Sequence, residues 1–166
     1  QQINNEVEGG QYPKIFLCGS IFGGTGASGL PTLGRLLAEK LGPGKRQQVK
    51  IACLFVLPYF SFVTPAGSNE KVYAKSDEFL LNTEASLRYY ATQAEKSFDQ
   101  VYLLGNQNFE KYDFSVGKDT QRNDPHFIEF YAALAARHFW LENTEEIKTG
   151  TVVLNSREEK GKITWN

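Results

Sequence analysis

Methionine is absent from the 166 residues and the chain opens on Gln1-Gln2, so it lacks an initiator and reads as part of a longer protein. Cysteine is scarce: Cys18 and Cys53, each inside an apolar run. Two thiols are too few for a secreted disulfide framework at this length, and both are expected to be buried and reduced. No apolar run approaches the roughly 18 residues of a membrane span, and no cleavable signal pattern opens the chain. The net charge is −1, which excludes a bulk electrostatic pull toward nucleic acid or an anionic membrane. Histidine is limited to His126 and His138, with no cysteine or carboxylate cluster at ligand spacing, so no metal centre is expected. The expectation is a cytoplasmic chain that meets neither nucleic acid nor membrane. Any anion it binds must be held locally, by backbone amides or a few side chains.

What is present is an alternation of short apolar runs and helical patterns. Residues 1–12 read as a polar lead-in. Lys14 to Ser20 and Val49 to Leu57 read as buried strands, and Val101 to Leu104 as a short third. Leu30 to Leu41 carries apolar residues at helical spacing (Leu33, Leu36, Leu37 and Leu41), with Gly42 and Pro43 as a stop. Residues 58–75, with Gly67, read as a long loop. A helix is expected from Asp77 to Lys96 behind a Ser76 cap, and another opening at Asp124-Pro125. The second of these is apolar on nearly every face and should be buried. Thr151 to Leu154 and Ile163 to Trp165 read as a terminal hairpin around Arg157–Gly161. These elements predict one α/β domain over residues 1–166, a Rossmann-like three-layer sandwich on a mostly parallel sheet, with residues 141–166 as an extension. In such sheets ligands sit beyond the carboxyl ends of the strands, so the loops after Ser20, Leu57 and Leu104 matter most.

The first of those loops is Gly23-Gly24-Thr25-Gly26-Ala27-Ser28-Gly29, four glycines in seven residues between a strand and a helix. Glycine permits positive φ and close backbone approach, and successive amides at a helix start make a pocket for phosphate. Thr25 and Ser28 add hydroxyl donors. The alternative use of such glycines is tight packing of helix on strand. Gly44-Lys45 is followed by Arg46, so there is no Walker A motif. An NAD(P)-binding oxidoreductase domain would also use such a turn, but it wants a charged residue at the end of the second strand. Here that strand ends Phe55-Val56-Leu57-Pro58-Tyr59. Tyr89 and Tyr90 read as packing residues, Lys45-Arg46 as a solvated charge pair, and Glu142, Glu145 and Glu146 as a solvated helix end.

With these residues in view, the sequence resembles the tubulin/FtsZ family over about residues 14–140. The glycine segment, with Ala27 as an extra residue, is similar to that family's phosphate turn. Leu57-Pro58-Tyr59-Phe60-Ser61-Phe62 is similar to the loop after its second strand, and Asn82-Thr83-Glu84-Ala85-Ser86-Leu87 to the opening of its next helix. The resemblance implies that Asn106 contacts a guanine edge and that Phe127 stacks on the base. Tyr131 stands one turn further on, where the family places a base-reading Asn or Asp. Glu78, at the head of a helix facing the cleft, is a candidate for ribose hydroxyls. It further implies GTP or GDP as ligand, Mg2+ in company with it, and self-assembly or other protein partners. Residues 141–166 have no counterpart of the family's activating acidic loop, so the chain alone is expected to hydrolyse GTP negligibly. A degenerate scaffold of the same fold, binding no nucleotide, is the third alternative.

Overall fold

A computed structural model describes residues 2–63, 76–113, 124–144, 147, 150–153, 156–159 and 162–165. Its elements are α1 (Gln2–Glu8), β1 (Lys14–Ser20), α2 (Gly24–Arg46), β2 (Lys50–Val56), β3 (Phe60–Val63), α3 (Phe79–Tyr89), β4 (Gln100–Leu104), β5 (Glu110–Asp113), α4 (Phe127–Leu141), β6 (Gly150–Val153), β7 (Ser156–Glu159) and β8 (Lys162–Trp165). The main sheet runs β1-β2-β4-β6, and every neighbouring pair is parallel. The parallel, adjacent packing expected for the first three apolar runs is therefore observed.

Alternation along β2 divides the core into two layers. Ile51, Cys53 and Phe55 join Val7, Leu30, Val49 and Phe98 on one face, with Leu37 and Leu41 of α2 and Leu87 of α3 packed against them. Ala52 and Leu54 join Tyr102, Ile128, Ala135 and Phe139 on the other face, under α4. Helices thus cover both sides of the sheet, which makes the three-layer sandwich. β2 is central and buried from Ile51 to Phe55. β1 lies at the sheet edge, so Cys18 is exposed, contrary to expectation, while Cys53 is buried and its thiol is pushed far above the ordinary range by that burial. Among the described residues no helix is long and apolar enough to cross a membrane.

Several boundaries differ from the sequence reading. The lead-in contains a helix, α1. The supposed long loop and the polar stretch after Asn106 each contain a strand, and β3 and β5 pair in parallel as a separate two-stranded sheet. Of that loop, residues 64–75 lie outside the described residues. The stripe of α2 that is buried runs through Leu30, Pro31 and Gly34, whereas Leu33 and Leu36 are exposed. Gly42 does break the helix, with φ 69° and ψ 167°. Ser76 does not cap α3: it opens a single 3-10 turn, and Glu78 occupies the cap position. α4 starts at Phe127 rather than Asp124, because His126 takes the cap and its Nδ1 accepts from the Ile128 N–H at 3.1 Å. Nor is α4 buried all round, for Phe130 is 63% and Leu141 67% exposed. Thr151–Val153 belongs to β6 of the main sheet, and the terminal hairpin is formed by β7 and β8 instead. Leu154, Gly161, Glu145 and Glu146 lie outside the described residues.

Two charged residues read as solvated are structural. Lys45 does pair at the surface, with Glu8 at 2.7 Å, but Arg46 reaches Asp99 at 2.8 Å with both side chains mostly buried. Glu142 accepts from Gln100 Nε2 at 3.0 Å. Lys14 ties the edge strand to α4: its Nζ donates to the carbonyls of Phe139 (3.0 Å), Trp140 (3.1 Å) and Glu142. Those are the carbonyls a helix end leaves unpaired. Lys14→Met should therefore cost about 1–3 kcal/mol in urea unfolding, since it removes one cation from several acceptors. A loss under about 0.5 kcal/mol, the range of an ordinary surface change, would contradict this role.

Candidate functional site

Because β1, β2 and β4 are parallel, their carboxyl ends share one edge of the sheet. The loops leaving them are stitched together through the backbone. Ile21 N–H donates to Val56 O at 3.0 Å, Leu57 N–H to Leu104 O at 2.7 Å, and Asn106 N–H to Pro58 O at 3.4 Å. Gly105 makes the last approach feasible, since a Cβ there would lie 2.8 Å from the Leu57 Cβ.

The glycine segment is less a turn than the start of α2. Gly23 is extended (φ −118°, ψ 161°) and the helix begins at Gly24. Positive φ occurs only at Gly10 and Gly42 among the described glycines, so the glycines of residues 23–29 do not use the positive φ that glycine permits. The glycines do two different jobs. At Gly26 a Cβ would stand 1.8 Å from the Ser20 carbonyl oxygen, so this glycine lets the helix start sit directly on the end of β1. At Gly23, Gly24 and Gly29 a Cβ would meet no atom within 4 Å. The first amides of a helix have no carbonyl one turn back. Ala27 N–H reaches Gly23 O at 3.2 Å, and Gly23 supplies no side-chain cap, which leaves the amides of Gly24, Thr25 and Gly26 without an intrahelical carbonyl. No acidic side chain lies in this first turn to compete for them.

The approach to this helix start is held from α3. Asn82 Nδ2 donates to Phe22 O at 3.4 Å, and Ser86 Oγ stands 3.0 Å from Ile21 O and 2.6 Å from Asn82 O, its one proton shared between the two carbonyls. The sequence reading gave Asn82 and Ser86 only a loose likeness and missed this positioning role, because nothing local links a helix to a distant loop carbonyl. Phe22 is locked among Tyr59, Phe60 and Phe79, with ring centroids 4.8–6.3 Å away. Thr25 is exposed at the helix start. Ser28 is not a free donor, because its hydroxyl donates to Gly24 O at 2.7 Å within the helix.

Gly24, Ala27 and Ser28 line an open groove of about 450 Å³ between α2 and α3, with Thr32, Ala85, Ser86 and Tyr89 on its walls. That volume falls within the roughly 300–1,000 Å³ of small-molecule sites. Tyr89, read from sequence as a packing residue, is therefore an exposed wall, whereas Tyr90 does pack, edge-on to Phe55.

The residues expected at ribose and base do not line this groove. Asn106 closes a turn on itself: its Nδ2 donates to Asn108 O at 2.8 Å and its Oδ1 accepts from Asn108 N–H at 3.2 Å. Phe127 is 48% exposed at the head of α4, its ring tilted against His126 at 4.4 Å. Tyr131 sits edge-on to Phe127 and packs with the core under α4. Glu78 is exposed in the turn before α3. Among the described residues no three or more His, Cys, Asp or Glu side chains could hold a metal ion together. His138 instead meets the Tyr102 hydroxyl at 3.0 Å.

Residues 1–144 match the family described as tubulin-like, and the chain belongs to that family. No curated protein matches it. Among solved structures it is similar to CetZ from Methanosaeta thermophila strain DSM 6194, at 24% identity and a TM-score of 0.39. That alignment covers 64% of this chain and 24% of the other, so the chain spans about a quarter of that protein's length.

Proposed function

We propose that this chain is the nucleotide-binding domain of a longer tubulin-like protein, with GTP or GDP as ligand and its phosphates on the amides that open α2. The observation that carries the reading is the bare glycine start of that helix, at the sheet edge where three parallel strands end. A phosphate fits it: Gly23, Gly24 and Gly29 leave room where side chains would stand, and a helix N-terminus favours an anion. Mg2+ would ride on the phosphates, as the described residues supply no carboxylate set for it. Phe127 would stack on the base. Asn106 would read its edge only after opening the turn to Asn108, and Tyr131 and Glu78 complete the base and ribose candidates. The larger protein would act by nucleotide-dependent self-assembly or through a protein partner.

One observation favours a second reading, a scaffold that binds nothing: Gly26 and Ser28 are already accounted for by packing and helix bonds. Calorimetric titration of the chain with GTP, ATP and NADH separates the readings. The proposal expects binding of GTP or GDP in preference to NADH. Heat from NADH alone would instead mark an oxidoreductase domain, and no heat from any of the three would mark the scaffold.

A further inference from the structure

The segments leaving β2 and β4 run side by side beyond the main sheet and pair again, in parallel, as β3 and β5. Their lengths differ. Three residues, 57–59, connect β2 to β3, whereas five, 105–109, connect β4 to β5. Val56 stands opposite Leu104 before this gap and Phe60 opposite Glu110 after it, so the second segment holds two residues more than the first. Backbone bonds bracket the surplus. Asn106 N–H donates to Pro58 O and Glu110 N–H to Tyr59 O, each at 3.4 Å, which places the extra residues between Asn106 and Glu110. The Asn106 side chain gathers them: by holding both the carbonyl and the N–H of Asn108 it closes residues 106–108 into a turn.

A slack of two residues has a particular meaning for a strand. Side chains alternate with a period of two, so a slip by one residue turns every side chain to the other face, whereas a slip by two keeps the faces. With the Asn106 turn open, β5 has the length to advance two residues along β3, a distance of about 6–7 Å. Asn108 then comes opposite Phe60, and Glu110 opposite Phe62. Glu110 and Tyr112 stay on the face of Phe60 and Phe62, while Phe109 and Lys111 stay on that of Ser61. The turn is closed by one amide donor and one amide acceptor of Asn106, the pair that a purine edge would take from it. Asn108 and a base therefore exclude each other.

We propose that the Asn106–Asn108 turn is an autoinhibitory contact, and that a base seated on Asn106 releases its two residues and lets β5 slide two positions along β3. The trigger rests on the nucleotide reading, whereas the slack does not. The slide reaches α4 as well, because Glu110 now stands 3.5 Å from Nε2 of His126, the residue that caps that helix, and would leave it.

Two engineered cysteine pairs read the register. Ser61→Cys with Lys111→Cys joins positions that are opposite in the observed pairing, and Ser61→Cys with Phe109→Cys joins positions that are opposite after the slide. Neighbouring strands lie about 4.8 Å apart, within reach of a disulfide, while a partner two residues further along is out of reach. Both pairs are placed in the 166-residue chain with Cys18→Ser, which removes its exposed thiol. Brief oxidation without nucleotide should close the 61–111 pair. Saturating GTP should raise closure of the 61–109 pair about tenfold or more, as the exchange of two hydrogen bonds permits. Asn106→Leu opens the turn with no ligand present, and should favour the 61–109 pair without GTP. Deletion of Gln107 and Asn108 removes the surplus, so that chain should close the 61–111 pair alone, with or without GTP. Calorimetry on the same chains separates the two ways of failing. GTP that binds yet leaves the register unchanged would overturn the slide and spare the nucleotide reading, whereas GTP that does not bind would overturn both. An Asn106→Leu chain that melts as a folded protein and still closes only the 61–111 pair would show that the turn does not hold the register.

Discussion

Gly26→Val should abolish folding of the chain, whereas Gly24→Ala, two residues earlier, should leave its stability unchanged or slightly higher. The contrast follows from what each new Cβ would meet. At Gly26 it would fall 1.8 Å from Ser20 O and 2.9 Å from Ser20 C, and both are backbone atoms that no rotamer change can move. The start of α2 would have to swing off the end of β1, taking with it the packing of Leu30 and Ile21 against the sheet. Overpacking ordinarily costs about 1–3 kcal/mol, and a backbone clash this close exceeds that range, so the loss should be more than about 4 kcal/mol. At Gly24 the Cβ enters open space, and exchanging glycine for alanine in a helix gains up to about 1 kcal/mol. Circular dichroism melts of the two variants decide the matter. A Gly26→Val chain that melts like the parent would show that α2 does not rest on Ser20.

Asp99→Ala should cost about 3–5 kcal/mol, the usual effect of stranding one member of a buried ion pair. One oxygen, Oδ2, accepts from Arg46 at 2.8 Å and from the Ile51 N–H at 2.7 Å. The Asp99 N–H returns a bond to Ile51 O at 2.7 Å, and Arg46 also donates to Val49 O at 2.7 Å. The pair therefore ties the end of α2 to the first residues of β2 and β4 at the end of the sheet opposite the candidate site. Alanine leaves the strand amide without an acceptor and the guanidinium without its counter-charge, held only by backbone carbonyls such as Val49 O. Asn retains an acceptor for the amide, so Asp99→Asn should lose less than alanine in the same urea titration. If the two substitutions cost equally little, Arg46 is solvated after all, as its sequence neighbourhood suggested.

The strands of the main sheet were legible because β2 is buried on both faces and reads as an unbroken apolar run, with β1 and β4 close to the same pattern. The small sheet was not. Glu110-Lys111-Tyr112-Asp113 is polar and short, and its partner Phe60–Val63 lies far off in sequence, so no local alternation announces the pairing. The start of α2 was misread for a physical reason: glycine costs up to about 1 kcal/mol in a helix, and propensity therefore argues for a turn. Contact with β1 overrides it, and Gly26 is the residue that allows the contact. At α4 the Asp124-Pro125 signal was the stronger local one, yet the Nδ1 of His126 takes the cap. The apolar residues of α4 suggested burial all round because composition cannot say how many neighbours a helix has. Only Ile128, Ala135 and Phe139 are fully covered among the described residues. Of the candidate site, the glycine segment could be found from its composition, while the anchoring by Asn82 and Ser86 needed the fold.

The central claim is that phosphates rest on the amides opening α2, and the affinity of Gly24→Val for GTP tests it most directly. The site of the new side chain is open, so the variant should melt like the parent. Its bulk would stand over the amides of Gly24 and Thr25 and exclude the phosphates. Loss of one or two charge-assisted hydrogen bonds predicts GTP binding weakened about a hundredfold or more in calorimetric titration. A folded Gly24→Val chain that binds GTP as tightly as the parent would contradict the account.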